Sequence, residues 1–141
     1  MTGKEYLAEF KNLNRSIEQM QEYIQELRER SVSISHPLQE IVVQHTPQHD
    51  KLADWASRIV DAEDQLVELS NQRIDMYSAI FKKIVEIPDL NQQSIMMARY
   101  LQLMKYDDVA CDTGFSIQYV YELHSKGLKA FEKVFEGSEP A

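Results

Sequence analysis

The stretch S-I-Q-Y-V-Y-E-L-H-S-K-G-L-K, residues 116–129, gathers Ser116, Gln118, Tyr119, Tyr121, Glu122, Ser125, Lys126 and Lys129. An amide such as Gln118 donates and accepts at once, which matches the edge adenine shows in the DNA major groove. A carboxylate such as Glu122 accepts from the amino group of cytosine. Four residues apart, the two share one helical face. Ser116, Tyr119, Tyr121 and Ser125 add hydroxyls around the same turns. Arg99, Lys105, Lys126 and Lys129 are the cations suited to phosphate contacts, which orient a protein on a duplex without reading its sequence. His124 is expected to make a phosphate or structural contact, and Cys111 to be an inert small residue in a packed helix. No nucleophile–base pairing, glycine-rich phosphate loop or paired-carboxylate motif stands out, so no catalytic residue and no enzymatic activity is expected.

Such side chains reach a duplex only from a helix held outward. In A-C-D-T-G-F-S-I-Q-Y-V, residues 110–120, the small Ala110 lets two helices approach. Gly114 tolerates the positive φ of a tight turn, and Val120 fills the space between the helices. Val109, Phe115 and Leu123 extend that core, Ser116 is placed to cap the outward helix, and Asp107 and Asp108 suit the start of the preceding one. A further helix begins at Asp89 or Asn91, with Ile95, Met96, Tyr100, Leu101 and Leu103 as its apolar residues. The pattern predicts a three-helix helix-turn-helix module over 89–136, ending near Phe135, with a disordered tail at 137–141. An αα-corner without a DNA role would use the same residues.

From A-R-Y-L-Q-L-M-K-Y-D-D-V-A-C-D-T-G-F-S-I-Q-Y-V-Y-E-L-H-S-K-G-L-K-A-F the chain resembles region 4 of bacterial sigma factors. It is closer still to the small sigma-like late-gene regulators of Gram-positive phages, the ArpU/RinA-type group. The start M-T-G-K-E-Y-L, the helical first half and the proline-marked junction are also similar to that group. Motif-level similarity lies in 94–131. The resemblance implies transcriptional regulation of phage or prophage genes. The chain departs from the sigma pattern in having Lys105 and Tyr106 where Ser or Thr usually precedes the first helix of the motif, and in a less basic reading helix.

The first half must carry this module. Tyr6, Phe10, Leu13, Ile17, Met20, Ile24 and Leu27 alternate spacings of four and three, a coiled-coil seam, with Thr2 and Glu5 forming a capping box. Leu52, Trp55, Ile59, Ala62, Leu66 and Leu69 repeat the pattern. Arg73 interrupts it, and Met76, Ile80, Ile84 and Ile87 resume it before Pro88 halts the helix. The expected fold is all-α: a coiled-coil helical hairpin over 1–88, pairing within one chain or between two, followed by the module. The connection near 31–50 holds Pro37 and Pro47 and reads as a flexible loop, with Ile41, Val42 and Val43 as a short strand or apolar tether. It contains His36, His45, His49 and Asp50. Pro47 keeps His45 and His49 off one helical face, so no metal is expected, and no cofactor.

Charge sets the remaining terms. The 141 residues carry a net charge of −8, unfavourable for a polyanion ligand. Over 91–135, Arg99, Lys105, Lys126, Lys129 and Lys133 are balanced by Asp107, Asp108, Asp112, Glu122 and Glu132, so the reading segment is neutral. Affinity from one copy is expected to be weak and salt-sensitive. A homodimer formed through the N-terminal helices would raise it, and RNA polymerase is a second expected partner. Cys111 is the single cysteine, and the start has no signal-peptide core. No membrane contact and a place in the cytoplasm of a bacterial host are therefore expected. A helical adaptor or inhibitor acting on a host protein, and a virion or packaging component, are the alternatives.

Overall fold

The computed structural model describes the backbone of residues 1–40 and 47–138 and the side chains of 1–32 and 51–137. These residues form five α-helices: α1 (Gly3–Glu40), α2 (Pro47–Ile84), α3 (Leu90–Met96), α4 (Tyr106–Thr113) and α5 (Ile117–Ser138). A π-helical turn, Met97–Leu101, continues α3. Among the described residues there is no strand, and no helix is long and apolar enough to cross a membrane. The fold is all-α.

Packing divides the chain into two compact units. One joins Met1–Leu13 to the chain from Arg73 onward, and the other is Asn14–Gln72. In the second, α1 and α2 pair within the chain around Ile24, Leu27 and Ala62, flanked by Met20, Trp55, Ile59 and Leu66. These are seam positions of the two heptad patterns, so burial follows the 3.5-residue period. Arg28 and Glu63 form an exposed ion pair across this contact, of a kind that adds at most about 1 kcal/mol.

The first unit draws its core from both ends of the chain. Leu7 and Phe10 of α1 meet Ile80 and Ile84 at the end of α2, Ile87, Met96 and Leu101 beyond it, and Phe131 and Phe135 of α5. The start of α1 is fixed by its capping box: Glu5 N donates to Thr2 Oγ1 at 3.1 Å, and Thr2 N donates to Glu5 Oε2 at 2.9 Å. Lys4 N donates to Glu132 Oε1 at 2.7 Å. A Cβ on Gly3 would lie 3.0 Å from the Phe131 ring, so a larger residue there would push the ring back by a few tenths of an ångström. Pro88, where the sequence marks a domain junction, lies inside this unit. The adjoining turn is closed by the Gln93 amide, which donates to the carbonyls of Val85 and Ile87, and by Asp89, whose Oδ1 accepts from Gln92 N at 2.9 Å.

Two expectations about the connections change. The loop expected near 31–50 is largely helical, since α1 runs to Glu40 and α2 starts at Pro47. Pro47 occupies the first helical position, where its missing N–H removes no bond. Pro37 lies inside α1, three residues before its end. Ile41, Val42, Val43 and His45 fall outside the described residues, as do the side chains of His36, His49 and Asp50. At the other end α5 extends to Ser138, so Gly137 and Ser138 are helical where a tail was expected.

Candidate nucleic-acid interface

A second cluster seats α5. Ile95 and Ala98, Val109 of α4, and Val120 and Leu123 of α5 are buried together, with Met104, Tyr106, Ala110 and Phe115 packed against them. Val109 and Val120 have no exposed surface. Gly114 sits between α4 and α5 at φ 76° and ψ 5°, the left-handed conformation that glycine adopts without strain. Its N–H donates to Ala110 O at 3.0 Å. Thr113 Oγ1 reinforces the turn, donating to Val109 O at 2.7 Å and accepting from Phe115 N at 3.3 Å. Ser116 Oγ then accepts from Tyr119 N at 3.2 Å and caps α5. Further along, Gly127 lies against α3, where a Cβ would come within 2.8 Å of Met96 Cγ.

Burial of Val120, Leu123, Gly127 and Phe131 leaves the opposite face of α5 in solvent. Ser116, Gln118, Tyr119, Tyr121, Glu122, Ser125, Lys126 and Lys129 are all exposed there. Tyr119 packs edge-on against Phe115 at 5.0 Å between ring centroids, and Tyr121 lies 4.7 Å from Tyr106, so both rings are steadied without being buried. Lys126 Nζ donates to Glu122 Oε1 at 3.0 Å, and this bond raises the lysine pKa. The pair is one turn apart, so part of the acceptor capacity of Glu122 is held by its own helix, while Gln118 carries no charge. Lys105 is exposed at the start of α4, where it supplies no side-chain cap.

Arg99 departs from the other cations. It is half-buried, with its guanidinium 3.9 Å above the Tyr106 ring and Nη1 donating to Met104 O at 2.6 Å. That placement braces the turn before α4. The same turn holds Leu103 at φ 56°, left-handed for a non-glycine residue, and Met104 N donates back to Ala98 O at 2.9 Å. His124 is likewise structural. Its Nε2 lies 2.6 Å from the Tyr100 hydroxyl and its Nδ1 3.3 Å from that of Tyr106. Burial, followed by the charges of Arg99 and Lys4, lowers the His124 pKa. Burial foremost, with Tyr106 next, pushes Tyr100 up to about 12. One polar knot thus ties the π-helical turn, α4 and α5 behind the exposed face. No spacing pattern in the sequence marks it, because its members are brought together only by tertiary packing.

Cys111, expected inside a packed helix, is exposed. Only Val109 of α4 is fully buried, which turns position 111 outward. Among the described residues no cluster of histidine, cysteine or carboxylate side chains has the arrangement of a metal site. No protein-family model, curated protein or solved structure matches this chain.

Proposed function

We propose that this protein is a sequence-specific transcription regulator of phage or prophage genes that reads double-stranded DNA through a sigma region 4-like helix-turn-helix made of α4 and α5. The observation that carries the reading is the outward leading end of α5. Ser116 caps it, Gly114 turns it away from α4, and Val120 anchors it. Gln118 is exposed in the first turn of α5, and recognition helices read bases with their leading turns. Gln118 pairs with adenine, Glu122 with the amino group of cytosine, and Ser116, Tyr119, Tyr121 and Ser125 border them. Lys105, Lys126 and Lys129 meet phosphates, while Arg99 braces the turn behind.

Because the face is neutral, one copy binds weakly. A homodimer engaging two half-sites gains affinity through effective concentration without further contacts. RNA polymerase is the second partner, in the cytoplasm of a bacterial host. The test is selection from a randomised duplex pool at low salt, followed by titration of the selected site. Gln118→Ala should cost about 1–3 kcal/mol and relax preference at one base pair. Lys129→Ala should weaken all sequences alike and lower the salt slope by about one. Failure to enrich any sequence from the pool would overturn the reading. The alternative, a helical adaptor or inhibitor of a host protein, draws on the net charge of −8 and the neutral α5 face. It predicts capture of a single host protein that Gln118→Ala leaves intact.

A further inference from the structure

The heptad positions of α1 and α2 that suggested dimerisation are occupied within the chain, since Ile24 and Leu27 pack on Ala62. A pair of chains therefore needs another surface. In the first unit, α2 carries one, continued just past its end by Val85, whose N–H donates to Phe81 O at 3.1 Å. Ile74, Phe81 and Val85 are 59, 43 and 44% exposed, and with the exposed Ser78 they fall at spacings of four, three and four. That is a second coiled-coil stripe on a helix whose first stripe, Met76, Ile80 and Ile84, faces the core. Tyr77, packed on Phe10 with centroids 6.3 Å apart, borders it on one side. Asp75 and Lys82, both exposed, border it on the other.

We infer that this face of α2 pairs with the same face of a second copy, antiparallel, about a two-fold axis near Ser78 and Phe81. The orientation follows from charge. A parallel pair would set the flank of Asp75 and Lys82 in one copy against the flank of Tyr77 and the buried Ile84 in the other, leaving both charges without a counterpart. Like flanks of two helices meet only when the helices run in opposite directions. In that arrangement Phe81 of each copy lies over the small Ser78 of the other, and Ile74 meets Val85. Asp75 faces Lys82 at both ends, so the surface is complementary to itself. The four large side chains, Ile74, Tyr77, Phe81 and Val85, expose on the order of 350 Å² per copy. Their burial in a pair removes roughly 700 Å², below the standard interface and in the range of weak, reversible association. The inference deepens the homodimer of the proposed regulator but rests on α2 alone, so it can fail while DNA reading stands.

The test is sedimentation equilibrium of the full chain without DNA, from about 1 to 500 µM, a range that brackets micromolar association. A monomer–dimer equilibrium is expected. Phe81→Asp should weaken it at least tenfold while leaving the helical circular dichroism unchanged. Asp75→Lys and Lys82→Asp should each weaken it severalfold, and the double variant should restore it, a rescue that loss of folding cannot mimic. A monomer throughout the range, a dimer indifferent to Phe81→Asp, or failure of the double variant to restore pairing overturns the inference.

Discussion

Gly127→Ala tests the contact that seats α5. In the middle of an exposed helix this change would add about 1 kcal/mol of stability, because alanine gives up less backbone entropy. Here the new Cβ would stand 2.8 Å from Met96 Cγ and 3.1 Å from its Sδ, with Gln92 O at 3.6 Å. Met96 is wholly buried, so its chain must rotate or α3 must move. Overpacking of a close core costs about 1–3 kcal/mol. The two terms oppose, and the steric one prevails: a net loss of about 1 kcal/mol is expected, with the melting temperature down by a few degrees. Gly137→Ala is the control, because nothing lies within 4 Å of its Cβ and α5 includes it. There the propensity term acts alone, and a gain of a few tenths to about 1 kcal/mol is expected. Urea unfolding of both variants, with Met96→Ala added to the Gly127→Ala chain, supplies the numbers. If Gly127→Ala stabilises as much as Gly137→Ala, or if truncating Met96 relieves none of the loss, then α5 is not seated on α3 at this point.

Two further outcomes follow from the turn and the knot behind the interface. Gly114→Ala should lose about 1–2 kcal/mol from the left-handed backbone alone, since no neighbour crowds that position. Gly114→Asn should lose markedly less, and equal losses in a thermal unfolding series would contradict the turn geometry. His124 has a folded pKa below its free value, so the unfolded chain takes up its proton first as pH falls. Stability should decline as pH drops below about 6.5. Tyr100, raised to about 12 from 10.0, acts at the opposite end. The unfolded chain loses its proton first, so stability falls as pH rises past 10. Denaturant midpoints across pH for wild type, His124→Asn and Tyr100→Phe check this, and an acid slope unchanged in His124→Asn would remove His124 from the account.

What could be read from the sequence was whatever is settled within one or two helical turns. The Thr2–Glu5 box, the Asp89 and Ser116 caps and the Gly114 turn each join residues two to four apart. Their bonds depend on local dihedrals, which side-chain type constrains strongly. Heptad spacing likewise marked Ile24, Leu27, Ile80 and Ile84 for burial, because a face repeats every few residues whatever it meets. Tertiary structure alone decided the rest. Met1–Leu13 belongs with the chain beyond Arg73 because Leu7 and Phe10 find Phe131 and Phe135, partners with no periodic relation in sequence. Arg99 reads as a surface cation until the fold brings Tyr106 beneath it, and His124 reads as a contact residue until two tyrosine hydroxyls enclose it. A side chain's type limits which bonds it can make, but only the fold determines which partner arrives to make them.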